Sequence, residues 1–91
     1  MNNSKNKLKI CRVCGLYSEE YFPWGEDGES PTYDFCFCCG VEFGYGDATL
    51  EGVKSWRKKW IESGAKWHDP EYKTENWSLE EQLKNIPEEY R

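Results

Sequence analysis

A small α+β domain is the fold class predicted for this chain, and three observations predict it. Two runs share the pattern C-x-x-C-G-aliphatic, Cys11 to Leu16 and Cys36 to Val41, and each follows a short stretch that reads as a strand. A stretch with helical periodicity comes after them, from about Ala48 to Ser63. At 91 residues, the chain is too short to bury two separate cores. The expected architecture is a two-knuckle core of short antiparallel strands, covered by one long amphipathic helix and a short C-terminal helix. As a single domain it divides into a disordered lead-in (1–6), the core (7–46), the helix (47–64) and a C-terminal tail (65–91).

Each element has its own warrant. Lys7-Leu8-Lys9-Ile10 alternates polar and apolar and predicts a half-buried strand ending at Cys11. Residues 17–31 hold Pro23, Gly25, Gly28 and Pro31 and predict a long acidic loop carrying Tyr21, Phe22 and Trp24. Thr32 to Phe35 predicts a second strand, and Gly44-Tyr45-Gly46 a turn. Asp47 is the expected N-cap of the long helix and Gly64 its C′ residue. Leu50, Val53, Trp56, Trp60 and Ile61 share one broad helical face, and Arg57 interrupts it. Ser78 to Glu81 has capping-box spacing, so a short helix should run from Leu79 to about Asn85 and stop before Pro87.

The core has few aliphatic residues: five Leu, three Ile and three Val against fifteen aromatic residues. A domain of this size commonly needs a disulfide, a metal or a partner to hold it together, and five cysteines are the obvious source. With no apolar leader near Met1 and no stretch of membrane-spanning length, the expected compartment is the reducing cytoplasm. There, regularly spaced cysteines bind metal more often than they pair, and an odd count argues against complete pairing. Two residues between cysteines let one tight turn point both sulfurs at a single ion. The glycine after each pair, Gly15 and Gly40, supplies the positive φ that the returning chain needs. Cys11, Cys14, Cys36 and Cys39 therefore form a tetrahedral four-thiolate set, expected to hold one structural Zn²⁺ and to make the core zinc-ribbon-like. The same four thiolates could hold one iron, as in a rubredoxin. Redox pairs and disulfides are the remaining readings. Four protein ligands leave no open position for substrate, so the chain is expected not to be an enzyme.

The other chemically notable residues have mostly structural expectations. Cys38 takes the place of Val13 in the second run and should point away from the ion as a small buried hydrophobe; the alternative is an exchanging or redox-sensing thiol. His68, the one histidine, is expected to be a hydrogen-bonded loop residue, not a base or a fifth ligand. Arg57 should lay its stem on Trp56 or Trp60 and meet an acid of the central block, Glu42 or Asp47. Trp67 and Trp77 should pack the tail onto the core. Trp24 either folds back over the metal site or stands out as an anchor for a partner.

These motifs, with Trp60 to Trp67 and Trp77 to Leu83, resemble a family of small bacterial proteins described as cysteine-rich C-P-C-C proteins, over about residues 10–86. The chain departs from that pattern at Phe37 and Arg12, where proline is usual. The resemblance implies a zinc-ribbon-like core and, because similar genes lie near toxin genes, an immunity role.

Charge directs the functional expectation. From Val13 through Val53 there is no Lys or Arg, whereas Glu19, Glu20, Glu26, Asp27, Glu29, Asp34, Glu42, Asp47 and Glu51 make a block of one sign within a net charge of −5. Such a block repels phosphate and attracts basic proteins. The leading expectation is a non-catalytic zinc-binding interaction module, an immunity or antitoxin protein among its forms. Its expected basic partner would dock on Tyr21, Phe22, Trp24, Glu26, Asp27 and Glu29. The alternatives are a nucleic-acid-associated zinc ribbon using Lys54, Arg57, Lys58, Lys59 and Lys66, and a rubredoxin-like electron carrier.

Overall fold

The computed structural model describes residues 7–19 and 22–91. Its first half is organised by two turns that repeat one another bond for bond. In the first, the Cys11 amide donates to the Leu16 carbonyl (2.9 Å) and the Gly15 amide to the Cys11 carbonyl (3.0 Å). In the second, Cys36 donates to Val41 (2.9 Å) and Gly40 to Cys36 (3.0 Å). A single antiparallel bridge flanks each turn, Ile10 with Tyr17 and Phe35 with Glu42. The next rung also repeats, with Ser18 donating to Lys9 and Phe43 to Asp34, both at 3.0 Å.

The expected strands are reduced to these bridges. Lys7 and Leu8 lie in a helical turn, where the Ile10 amide reaches back to the Lys7 carbonyl (3.2 Å), so the alternation there does not mark a strand. On the other arm Tyr33 has φ 63°, in the left-handed region, and the extended backbone is broken two residues before Phe35. The expected lead-in, 1–6, lies outside the described residues.

Helix α1 spans Leu50–Glu62. Its N-cap is Thr49, whose hydroxyl accepts from the Gly52 amide at 2.9 Å, and not Asp47 as expected. Asp47 is buried instead; its carboxylate accepts from the Gly44 amide (2.7 Å) and the Trp24 indole (2.9 Å). At the C-terminus Gly64 (φ 107°) donates to Ile61 and Ala65 donates to Trp60, the paired bonds of a Schellman ending. The buried stripe of α1 is narrower than the periodicity suggests. Val53 and Trp60 are buried, while Leu50 (48%), Trp56 (38%) and Ile61 (38%) keep much of their surface exposed.

The tail wraps back over the turns. Trp60 donates to the Lys66 carbonyl (2.9 Å), and the His68 and Asp69 amides donate to Cys38 (2.9 Å) and Phe37 (2.8 Å). A 3₁₀ turn at Pro70–Tyr72 leads to α2, Leu79–Leu83, capped by Ser78 as its spacing predicts, and a second 3₁₀ turn follows at Glu88–Tyr90. Trp67 and Trp77 meet edge to face, with centroids 5.6 Å apart. The buried core consists of the five cysteines with Val13, Val41, Phe43, Val53, Trp60 and Ala65.

Gly15 is required twice over. Its φ is +85°, and a Cβ there would collide with the Gln82 backbone carbonyl of α2. Gly64 shares the positive φ, but its nearest neighbouring atom would be 3.8 Å away. Gly64→Ala should therefore cost about 1 kcal/mol, from backbone strain alone. Gly15→Ala should cost more than about 3 kcal/mol. Urea unfolding of the two variants measures the difference, and equal losses would contradict the packing of α2 on the first turn.

Candidate metal centre

Each turn contributes its two cysteines to the same point. The sulfurs of Cys11, Cys14, Cys36 and Cys39 all lie within 4.8 Å of one another, and all four residues are buried. Across the turns, Cys11 lies 3.8 Å from Cys39 and Cys14 lies 3.6 Å from Cys36, sulfur to sulfur. Four sulfurs about 2.3 Å from a central ion would stand roughly 3.8 Å apart at the corners of a tetrahedron, so the set has the right span to hold one metal ion. A disulfide needs about 2.05 Å between sulfurs. All five cysteines are free thiols.

The electrostatics of the cluster are those of buried thiols awaiting a cation. Burial pushes the Cys14 and Cys39 thiols well up and Cys11 up. Burial raises Cys36 too, but hydrogen bonds from Cys11, Cys14 and Cys39 and from the Cys39 amide outweigh it and hold that thiol well below its usual value. The Cys38 amide also points at the Cys36 sulfur, at 3.4 Å. An ion entering this site therefore displaces protons, chiefly from Cys11, Cys14 and Cys39.

Cys38 is fully buried but stands outside the four-sulfur set, as its position in the repeat predicts. Its sulfur accepts from the side-chain amide of Gln82 at 3.3 Å. The same nitrogen donates to the Cys14 carbonyl (3.1 Å), and the Gln82 oxygen accepts from the Trp77 indole (2.7 Å). One buried amide thus ties α2, both turns and Trp77 together. Sequence reading passed over Gln82, although an amide at that position, in register with Leu79, Leu83 and Ile86 on the apolar face, is a signal of buried bonding.

Arg57 corrects an expectation. It reaches neither Glu42 nor Asp47; its guanidinium donates to the carbonyls of Val13 (2.6 Å), Arg12 (3.0 Å) and Tyr90 (2.6 Å). A turn that points its amides at sulfurs leaves its carbonyls facing outward, and a cation from α1 meets them. Burial lowers the Arg57 value. His68 is exposed and stacks on Phe35 (5.8 Å) without joining the sulfur set.

The comparisons with known proteins bear on this geometry. Uncharacterized protein YozI of Bacillus subtilis is 33% identical over 100 residues, covering 93% of this chain and 72% of that protein. Uncharacterized protein YoaQ of the same organism is 32% identical over 93 residues, covering 87% and 74%. The chain belongs to their family. No family model matches the sequence and no solved structure matches the fold.

The residues expected to bind a partner differ in how much surface they present: Glu26, Asp27 and Glu29 are exposed, while Phe22 and Trp24 are half-buried. Tyr21 lies outside the described residues. Trp24 folds back: its indole is bonded to Asp47, and the Arg12 guanidinium covers its ring at 3.9 Å. Asp27 is exposed and accepts within its own loop from the Glu29 amide (2.8 Å) and the Ser30 hydroxyl (3.0 Å), which lowers its value. Phe22 has Lys9 5.5 Å from its ring.

Cys14→Ser should abolish metal binding and unfold the turns, whereas Cys38→Ser should keep the metal stoichiometry of the parent. Elemental analysis reads both, and metal loss in the Cys38 variant would overturn the ligand assignment. Because thiol ligands must lose protons on binding, affinity should rise with pH. A chelator competition at a series of pH values measures it, and a flat profile would count against thiolate ligation.

Proposed function

We propose that this chain is a small, non-catalytic zinc-binding protein that acts by binding another protein, and that its partner is basic. Toxin neutralisation is the form of that role suggested by the resemblance to cysteine-rich C-P-C-C proteins. The reading of zinc in a zinc-ribbon-like core rests on the four buried thiolates and their tetrahedral span, which suit zinc as a structural ion contributing folding energy. Five free thiols fit a reducing cytoplasm. The cluster itself offers a closed set of protein ligands and no position for substrate, which supports a binding role over catalysis.

The observation that carries the partner reading is electrostatic. Among the described residues the ion pairs are Lys7 with Glu89 and Lys84 with Glu81, and neither touches the acidic block between Val13 and Val53. Among the described residues, no carboxylate of the block is therefore neutralised by an ion pair. Binding a dication on four thiolates takes the formal charge from −5 to −7, since four negative charges and two positive ones are added. A field of that sign draws in basic proteins and speeds their capture.

Elemental analysis of the natively purified protein should find one zinc per chain. A red, iron-containing preparation would replace zinc with a rubredoxin-like centre. Proteins captured with it from its own cells should be basic, with affinity falling steeply as salt rises. Salt-independent capture, or retention on a heparin column at low salt, would contradict the reading.

A further inference from the structure

The loop expected to receive the partner uses the ring and indole of Trp24 in its own structure, and a second face presents open aromatic rings beside acids. Phe37, between two cysteines of the second turn, stacks on Tyr72 of the first 3₁₀ turn with centroids 4.2 Å apart and planes 11° from parallel. This stack is a ridge between two hollows. One, of about 610 Å³, is lined by Asp34, Phe35, Phe37, His68 and Asp69 among others, and His68 stacks against one face of Phe35, leaving its other face to a ligand. The other, of about 380 Å³, is lined by Tyr17, Glu19, Phe37 and Tyr72 among others. Phe35 and Tyr72 are each 52% exposed, so the aromatic surface is open to solvent.

The rims are acidic, and no lysine or arginine lines either hollow among the described residues. Asp69 begins the 3₁₀ turn without a side-chain capping bond, and no ion pair among the described residues engages it, Asp34 or Glu19. Exposed aromatic faces beside unpaired carboxylates suit a cation that is flat enough to stack and rich in donors, which describes a guanidinium better than an ammonium. Elsewhere in the same molecule Arg12 shows the arrangement, held between the rings of Trp24 (3.9 Å) and Tyr90 (4.7 Å).

We infer that the Phe37–Tyr72 ridge and its two acidic hollows are the docking surface for an arginine-bearing segment of a partner protein, with guanidinium groups stacked on Phe35 and Tyr72 and paired with Asp34, Asp69 and Glu19. This deepens the basic-partner reading and rests on it, while moving the contact from the acidic loop to the second cysteine turn and the 3₁₀ turn beside it.

The test is titration of the metal-loaded full chain with a hexa-arginine peptide by calorimetry. Two variants remove the same charge from different places: Asp34→Asn with Asp69→Asn in the hollow, and Glu26→Gln with Glu29→Gln in the loop. Metal content and urea midpoint confirm that both remain folded. The hollow pair should weaken binding about tenfold and the loop pair less than about twofold. Phe35→Ala, which leaves charge untouched, should weaken it about threefold. Equal losses in the two pairs, a larger loss in the loop pair, or an unaffected Phe35 variant would overturn the docking surface and leave the basic-partner reading standing. No binding to the parent protein would overturn both.

Discussion

The convergence of four cysteine sulfurs within 4.8 Å is the constraint on which the rest of the chain depends. A chain with eleven Leu, Ile and Val residues in all cannot cover a conventional core. The sulfurs stand at the centre of the buried set, and the few aliphatic residues, Val13, Val41 and Val53, pack around them. Burial disfavours the charged form of a thiol, which is why the values of Cys11, Cys14 and Cys39 move up. A metal ion held by the four sulfurs would add binding energy to folding.

Other features follow from holding this cluster. The first cysteine turn leaves the carbonyls of Arg12, Val13 and Cys14 to be met by donors from elsewhere in the chain. Arg57 and Gln82 meet those carbonyls, the first from α1 and the second from α2. Each also links to a further part of the chain, Arg57 to Tyr90 and Gln82 to Trp77 and Cys38. Helix and tail are thus fastened to the cysteine turns by donors as well as by apolar contact. The long loop is fastened similarly, through Trp24 to Asp47 and to Arg12. Such bonds in a small domain substitute for the area a larger core would bury.

Placing function on this scaffold follows from what the scaffold consumes. Trp24 would be an attractive contact residue if free, but the loop needs it. Phe35 and Tyr72 present open aromatic surface beside carboxylates that no ion pair among the described residues engages. Kinship with YozI and YoaQ places the chain in a family without attaching an activity to it. The chemistry of the surface is therefore the guide to the partner.

How much was legible in the sequence differs by the range of the interaction. The ligand spacing, the need for glycine at 15 and 40, the displacement of Cys38 from the ion, the Gly64 ending and the Ser78 cap are all short-range, set within five or six residues of chain. Local sequence determined them because the geometry of one turn does. The strands failed because a two-by-two alternation is a weak signal, and Tyr33 at positive φ breaks one arm before pairing can extend. Asp47, Arg57 and Gln82 could not be assigned partners from sequence. Each bonds to groups brought near by the fold, up to 68 residues away for Gln82 and Cys14. The acidic block was visible as charge, but only the tertiary structure decided which of its acids are spent internally and which face solvent beside aromatic rings. Composition fixes the sign of a surface; the packing of distant segments fixes where that surface can be used.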